Sequence, residues 1–164
     1  MSRLDRNIKR LIAKRYCLNL AREIIRDLSG VVFEFGLGYG RTYDHLRSIF
    51  PTRDIFVFER DITLAHPACI PDDCHLFLGD IRETLPRLSA RFFQSVSLLN
   101  IDLGSKYPEE DRQLIAEIFP LVEPMMKVDS VVITDLLLSD AQWGRVPLPA
   151  EMETDSTHFY RVTK

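Results

Sequence analysis

Along the chain, short apolar runs alternate with stretches whose apolar residues recur every three or four positions. Residues 3–28 carry Leu4, Ile8, Leu11, Ile12, Leu18, Ala21, Ile25 and Leu28 at helical intervals. Arg3, Arg6, Lys9, Arg10 and Lys14 fill the rest of that helix. The pattern predicts an apolar face against the body and a basic face in solvent. Ser29-Gly30 stops the helix, because glycine is the residue most easily placed just past a helix end. Residues 31–35 are then a nearly continuous β-branched and aromatic run broken only by Glu34, as expected of a central parallel strand covered on both faces. Further runs predict strands at 55–59, 75–80, 95–102 and 130–135, and a final edge strand within 157–163. Helical spacing returns at 42–50, at 81–91 with Pro86 interrupting, and at 108–126, where Pro120 and Pro124 kink or end the helix. Strands alternating with helices predict an α/β fold with a doubly wound, mostly parallel sheet, an N-terminal helix and a shortened C-terminal end.

The chemistry concentrates where the first strand ends, in Glu34-Phe35-Gly36-Leu37-Gly38-Tyr39-Gly40-Arg41-Thr42. Glycines at every second position allow a tight turn and close backbone approach to a ligand. A turn that opens a helix also offers N–H groups without intrahelical partners. In open parallel sheets a ligand lies beyond the carboxyl ends of the strands. Glu34, Glu59, Asp80, Asp102 and Asp135 stand at or near those five ends. A dinucleotide and S-adenosylmethionine both present ribose hydroxyls that an acid can accept from. The glycine spacing separates the two. In the frame G-x-G-x-x-G the third glycine permits close helix–strand packing, and counting from Gly36 that place holds the large Arg41.

At these residues the chain resembles the class I S-adenosylmethionine-dependent methyltransferases, whose fold is Rossmann-like. The residues from Glu34 to Thr42 look like their first motif, Glu59 like the acid after the second strand, Gly79-Asp80-Ile81 like the step after the third, and Asn100-Ile101-Asp102 like the fourth-strand motif. Residues 122–135 resemble the passage into the fifth strand, and the resemblance covers about residues 30–136. It implies S-adenosyl-L-methionine as cofactor. Gly36, Gly38 and Gly40 would let the backbone pass under the methionine part, with Phe35, Tyr39, Arg41 and Thr42 lining the same seat. Glu34 would orient the cofactor's amino group and Glu59 bind the ribose hydroxyls. Asp80 would accept from the adenine amine, with Ile81 packed on the ring. Asn100 and Asp102 would sit at the methionyl end, Asp102 positioning the acceptor as the candidate catalytic residue. Arg60 departs from the apolar residue expected against adenine, and an arginine there suits a 2′-phosphate. A nicotinamide-dependent oxidoreductase is therefore the runner-up, and a non-catalytic cofactor-binding domain a third reading. Residues 101–107 also resemble the metal-dependent O-methyltransferases of the catechol and caffeoyl type, with Asp135 at their second acid. Leu136 stands where that family has Asn, and no metal is assigned. Asp102, Lys106, Tyr107 and Asp135 are candidates for acceptor positioning.

Composition narrows the rest. With 164 residues, 46% hydrophobic and 27% charged, the chain reads as a single domain: 1–29 helix, 30–136 cofactor-binding core, 137–164 tail. The net charge of −3 hides an asymmetry, because residues 1–28 hold eight Lys/Arg against three acids. The acidic remainder argues against a nucleic-acid partner, and the methyltransferase resemblance is read with a small-molecule substrate. No apolar run approaches the roughly 18 residues of a membrane span, and no secretory signal opens the chain. Three cysteines, Cys17, Cys69 and Cys74, are an odd, sparse set that suits a cytoplasmic location. His66, Cys69, Cys74 and His75 do not have the spacing of a structural zinc site. Trp143, in a Pro-rich tail, either covers the site or packs on the sheet. That short tail leaves the substrate surface minimal, formed by the N-terminal helix, or completed by a second subunit of a homo-oligomer.

Overall fold

The computed structural model describes residues 1–104, 107–138 and 143–163. Seven strands form one sheet: β1 Val31–Phe35, β2 Ile55–Glu59, β3 Leu76–Leu78, β4 Val96–Ile101, β5 Met126–Thr134, β6 Gly144–Arg145 and β7 His158–Arg161. Their order is β3-β2-β1-β4-β5-β7-β6. The first five are parallel, while β7 runs antiparallel to both β5 and β6. The helices are α1 Arg3–Ile24, α2 Arg41–Ile49, α3 Ile81–Thr84 and α4 Pro108–Val122. Strand order reverses between β1 and β4, so the carboxyl ends of those two strands frame the crevice where such sheets take ligands.

Alternation along the strands divides the core into two layers. Phe33, Phe35, Phe58, Leu99 and Ile101 face the layer that holds Ile81, Leu85 and Ile118 of the α3–α4 side. Val32, Val57, Leu98 and Ile133 face Leu18, Ala21 and Leu46 of α1 and α2. Period-2 geometry therefore turns Glu34 and Asn100, partners in the β1–β4 register, toward the α1–α2 side. On the opposite face the rings of Phe33 and Phe92 lie 5.0 Å apart, and those of Phe35 and Phe58 4.9 Å. These tight aromatic pairs fix the strands whose ends carry the chemistry.

The N-terminal helix departs from expectation in a way that matters for the site. It ends at Ile24 rather than 28, and Ile25, wholly buried, drops into the core. In its first half the faces are reversed. Leu4 is 68% exposed and Ile8 48%, with Leu11 and Ile12 also exposed, whereas Lys14 is buried with Ala13, Cys17, Leu18 and Ala21. Arg10, Lys14, Cys17 and Ala21 follow at i+4, i+3 and i+4, a single face laid on the protein. Charge favours this orientation: the strand ends beneath the helix are acidic, and Arg10 and Lys14 turn to them while Arg3, Arg6 and Lys9 stay exposed. A capping box between Ser2 and Asp5 holds the first turn.

Three smaller differences have local causes. β5 starts at Met126 instead of 130, and the extra length is absorbed by Asp129 at φ 68 and a register shift against β4. α3 is one turn followed by a 3-10 turn over Leu85–Leu88, because Pro86 cannot continue the α-helical bonding. The last strand is not the edge, because β6 pairs outside it. Trp143, next to β6, is buried and packs its ring 4.6 Å from that of Phe119 on α4, so it braces the sheet.

Candidate functional site

At the end of β1 the chain turns through Gly36, Gly38 and Gly40, with φ of 88, 51 and 83°. Two of these positions have separate reasons. A Cβ on Gly36 would collide with the backbone carbonyl of Asp102, whose N–H in turn donates to Phe35 O at 2.8 Å. This glycine lets the β1 and β4 ends lie against each other. A Cβ on Gly38 would meet nothing within 4 Å. Its left-handed backbone therefore faces open space, which is the geometry of a cradle. Gly40, against Cys69, begins α2. Beyond it the Arg41 guanidinium lies 4.6 Å over the ring of Tyr39, which is 56% exposed.

Glu59, at the end of β2, ties down this turn. One carboxylate oxygen accepts from Leu37 N–H at 2.6 Å and Gly38 N–H at 3.0 Å; the other accepts from Arg60 N–H at 2.7 Å and Asp61 N–H at 3.1 Å. A carboxylate has about four lone-pair sites, so all are engaged by backbone. Any hydroxyl binding at Glu59 shares or replaces those bonds. Asp80, at the end of β3, caps α3 through a 2.9 Å bond from Arg82 N–H and lies 3.6 Å from the Arg82 guanidinium. Ile81 is 7% exposed and part of the core.

Glu34, Asn100 and Asp102, expected at the methionyl end, assemble on the α1 side. Glu34 is fully buried, accepts from Thr42 Oγ1, and accepts from Asn100 Nδ2 at 2.7 Å. Burial pushes its carboxyl up to about 8, against the opposing pull of the Thr42 and Asn100 bonds. Lys14 Nζ reaches Asn100 Oδ1 at 3.4 Å and Asp135 Oδ1 at 2.5 Å. The latter is a close, buried ion pair. Arg10 Nη1 lies 3.2 Å from Asp135 Oδ2 and 3.5 Å from Asp102 Oδ1. Burial raises the Asp135 carboxyl, with Lys14 pulling it back down and Asp102 adding to the rise. Burial acts the same way on Asp102, but Lys14, a hydrogen bond from Asp135 and Arg10 outweigh it and hold that carboxyl below its usual range. The two acids thus titrate as a pair.

Asp135 also lines a cavity of about 860 Å³ together with Lys9, Arg145, Leu148, Thr157 and His158. The cavity lies between α1 and the β6–β7 end of the sheet. A space this size holds a small molecule. Burial, then Arg145, lowers His158 below the usual histidine value, so it is neutral at pH 7. Tyr107 is 61% exposed before α4. Lys106, named from the sequence, lies outside the described residues.

The structure therefore brings Glu34, Gly36, Thr42, Asn100 and Asp102 together, ties Glu59 and the Arg60 backbone to the turn at Leu37 and Gly38, and leaves Asp80 capping α3. Sequence reading missed Arg10 and Lys14 as site residues and put them on a solvated face. The available signal was their i, i+4 spacing combined with strand ends rich in acid and poor in cations. It also missed the cavity, which depends on a two-residue strand too short to register.

The family model described as S-adenosyl-L-methionine methyltransferase matches residues 1–162. Among solved structures, an S-adenosyl-L-methionine methyl transferase from Silicibacter pomeroyi is similar at 38% identity, covering 98% of each chain with a TM-score of 0.89. The O-methyltransferase TomG of Streptomyces achromogenes, in complex with SAM, shares the fold at 13% identity, a TM-score of 0.60, and coverage of 92% of this chain and 79% of that one. Human methyltransferase-like protein 13, in complex with SAH, does so at 12% identity and 0.59, covering 95% and 82%. No curated protein matches. The nicotinamide reading is not favoured by any of these likenesses. Among the described residues, no helix is long and apolar enough to cross a membrane.

Proposed function

The chain belongs to the S-adenosyl-L-methionine methyltransferase family, and on that premise we propose that it transfers a methyl group to a small-molecule acceptor held in the cavity beside Asp135. The observation that carries this reading is the open cradle at Gly38 together with that cavity, whose lining residue Asp135 shares Arg10 with Asp102. The residues fit the cofactor, because donors and acceptors of both signs converge there and no Cβ fills the cradle. Leu37 and Gly38 N–H groups, Glu34 and Asn100 would hold the methionine part, and Glu59 the ribose hydroxyls in exchange for some of its backbone bonds. Asp80 would serve the adenine amine only by giving up its cap on α3, and Ile81 only at its small exposed edge.

When bound, the cofactor supplies a methyl carbon activated by a positive sulfur. The chain's own task is alignment, since placing acceptor and donor in line can supply about 7–11 kcal/mol of the barrier. Asp102 would position the acceptor's nucleophile from the strand end, and the cavity would exclude competing water. We further propose a cytoplasmic setting, which the three free thiols of Cys17, Cys69 and Cys74 support. A homo-oligomer is supported by the exposed stripe on α1. Leu4, Ile8 and Leu11 stand four and three apart, the spacing of a helix–helix seam, and a twofold axis sets stripe on stripe. The function is tested by incubating the purified protein with methyl-labelled cofactor and a fractionated small-molecule extract. Label moving into a small-molecule fraction, and not with a Gly38→Val variant, is the expected result. Label moving only into protein or nucleic acid would overturn the small-molecule acceptor.

A further inference from the structure

We propose that Arg10 is the residue that recognises the carboxylate of the cofactor's methionine part, and so selects carboxylated over decarboxylated forms of that ligand. The inference rests on the cofactor seat proposed above. The ligand's amino-acid end carries an ammonium and a carboxylate. For the ammonium the site offers the Asp102 carboxylate, 27% exposed, beside the buried Glu34 and Asn100 at the β1 and β4 ends. For the carboxylate it needs a cation that is close, partly exposed and has donors to spare.

The cations near this end differ in those respects. Lys14 is 2% exposed, with its ammonium spent on Asp135 and Asn100. The Arg41 guanidinium lies on Tyr39. Arg10 has a side chain 33% exposed and stands 3.5 Å from Asp102 Oδ1, beside the backbone that packs on Gly36. It uses only Nη1, shared between Asp102 and Asp135. Among the described residues, its Nη2 and Nε have no hydrogen-bond partner. A guanidinium offers five N–H donors in a planar fork that matches a carboxylate with two parallel bonds. Arg10 can therefore keep Nη1 on the acids and present the remaining edge to a ligand.

Charge balance points the same way. Asp102 and Asp135 are two acids in contact, and Arg10 and Lys14 offset them. Entry of a ligand whose positive groups settle beside Glu34 and Asp102 adds cation to that balance. The guanidinium is then freed in part from Asp102, and an incoming carboxylate restores its pairing. Because Arg10 lies mid-helix between the capping box and the buried Lys14 turn, it is carried on a rigid element rather than a loop. The inward turn of Arg10 acquires a purpose: it delivers a fork to an end of the seat where, among the described residues, Lys14 and Arg41 are already engaged.

The test is calorimetry with two ligands, S-adenosylhomocysteine and its decarboxylated analogue, on the wild-type protein, Arg10→Gln and Arg10→Lys. The wild type should bind S-adenosylhomocysteine at least tenfold more tightly than the analogue. Arg10→Gln should lose tenfold or more for S-adenosylhomocysteine and leave the analogue within about twofold, and Arg10→Lys should recover part of the loss, as a point charge does. An equal loss for both ligands, or no loss for either, would overturn the role of Arg10 while leaving the cofactor seat standing. A wild type that binds neither ligand would overturn the seat itself and this inference with it.

Discussion

Lys14→Met removes an ammonium from one of the most enclosed charged positions in the protein. Lys14 is 2% exposed, and its Nζ is 2.5 Å from Asp135 and 3.4 Å from Asn100. Methionine fills similar space, so the change isolates the charge. Removing one partner of a buried pair costs about 3–5 kcal/mol because the other charge is left uncompensated. Here the low end applies, about 3 kcal/mol, since Arg10 Nη1 remains 3.2 Å from Asp135 Oδ2. For a domain of this size that corresponds to a melting point lower by about 6–12 °C. The deficit should depend on pH. Asp135 already has its carboxyl raised by burial, and without Lys14 it rises further. A carboxyl raised in the folded state holds its proton where the unfolded chain would lose it, so the folded state loses stability as pH climbs from the unfolded value through the raised one. The deficit should thus be small at pH 5, where Asp135 is neutral, and full at pH 8. Urea unfolding of both proteins at the two pH values measures it. The double variant Lys14→Met/Asp135→Leu should regain most of the loss, because neither charge remains. A deficit below 1 kcal/mol at pH 8, or one equal at both pH values, would refute this account of the cluster.

Other outcomes follow from the same geometry. Glu34 holds its proton up to a pH of about 8, so binding a ligand ammonium should release a proton below that pH; the heat of binding should then vary with buffer ionisation enthalpy, and Glu34→Gln should remove the variation. Glu59→Ala should cost both ligand affinity and order in the glycine turn, read as faster amide exchange at Leu37 and Gly38, because four backbone N–H groups lose one acceptor. Trp143→Ala should destabilise by about 3–5 kcal/mol in urea unfolding, since the ring is buried against Phe119. Ile8→Glu should leave the protein folded and shift a sedimenting oligomer to monomer; unchanged sedimentation would remove the α1 stripe as its contact.

Much of this molecule is legible from its sequence because strand patterning and turn chemistry are local. The run at 31–35 and the three glycines after it specify β1, the turn and the start of α2 with little help from the rest of the chain. The positions of Glu34, Asn100 and Asp102 follow, because parallel register is set by the buried faces. The orientation of α1 was not legible, since its two candidate faces, one apolar and one basic, are judged against a partner that sequence does not display. In the first half of α1 the apolar side stays exposed while Arg10 and Lys14 turn to two acids at strand ends; in the second half Leu18 and Ala21 are buried as expected. The β6–β7 end was hidden for another reason: a two-residue strand has no periodicity, and its pairing is visible only once β7 is placed beside β5. Glu59 and Asp80 show a third limit. The sequence marks an acid at a strand end but cannot say how many of its lone pairs the backbone has already taken.

The central claim, that the glycine turn seats the cofactor, is tested most directly by titrating wild-type protein and Gly38→Val with S-adenosylhomocysteine, with NADP as a control. Val at position 38 occupies open space and carries a strained φ, so the core should be intact and the cradle filled. One-to-one binding of S-adenosylhomocysteine by the wild type, at least tenfold weaker binding by the variant, and no binding of NADP is the predicted result. Equal affinity in the two proteins, or binding of NADP alone, would contradict it.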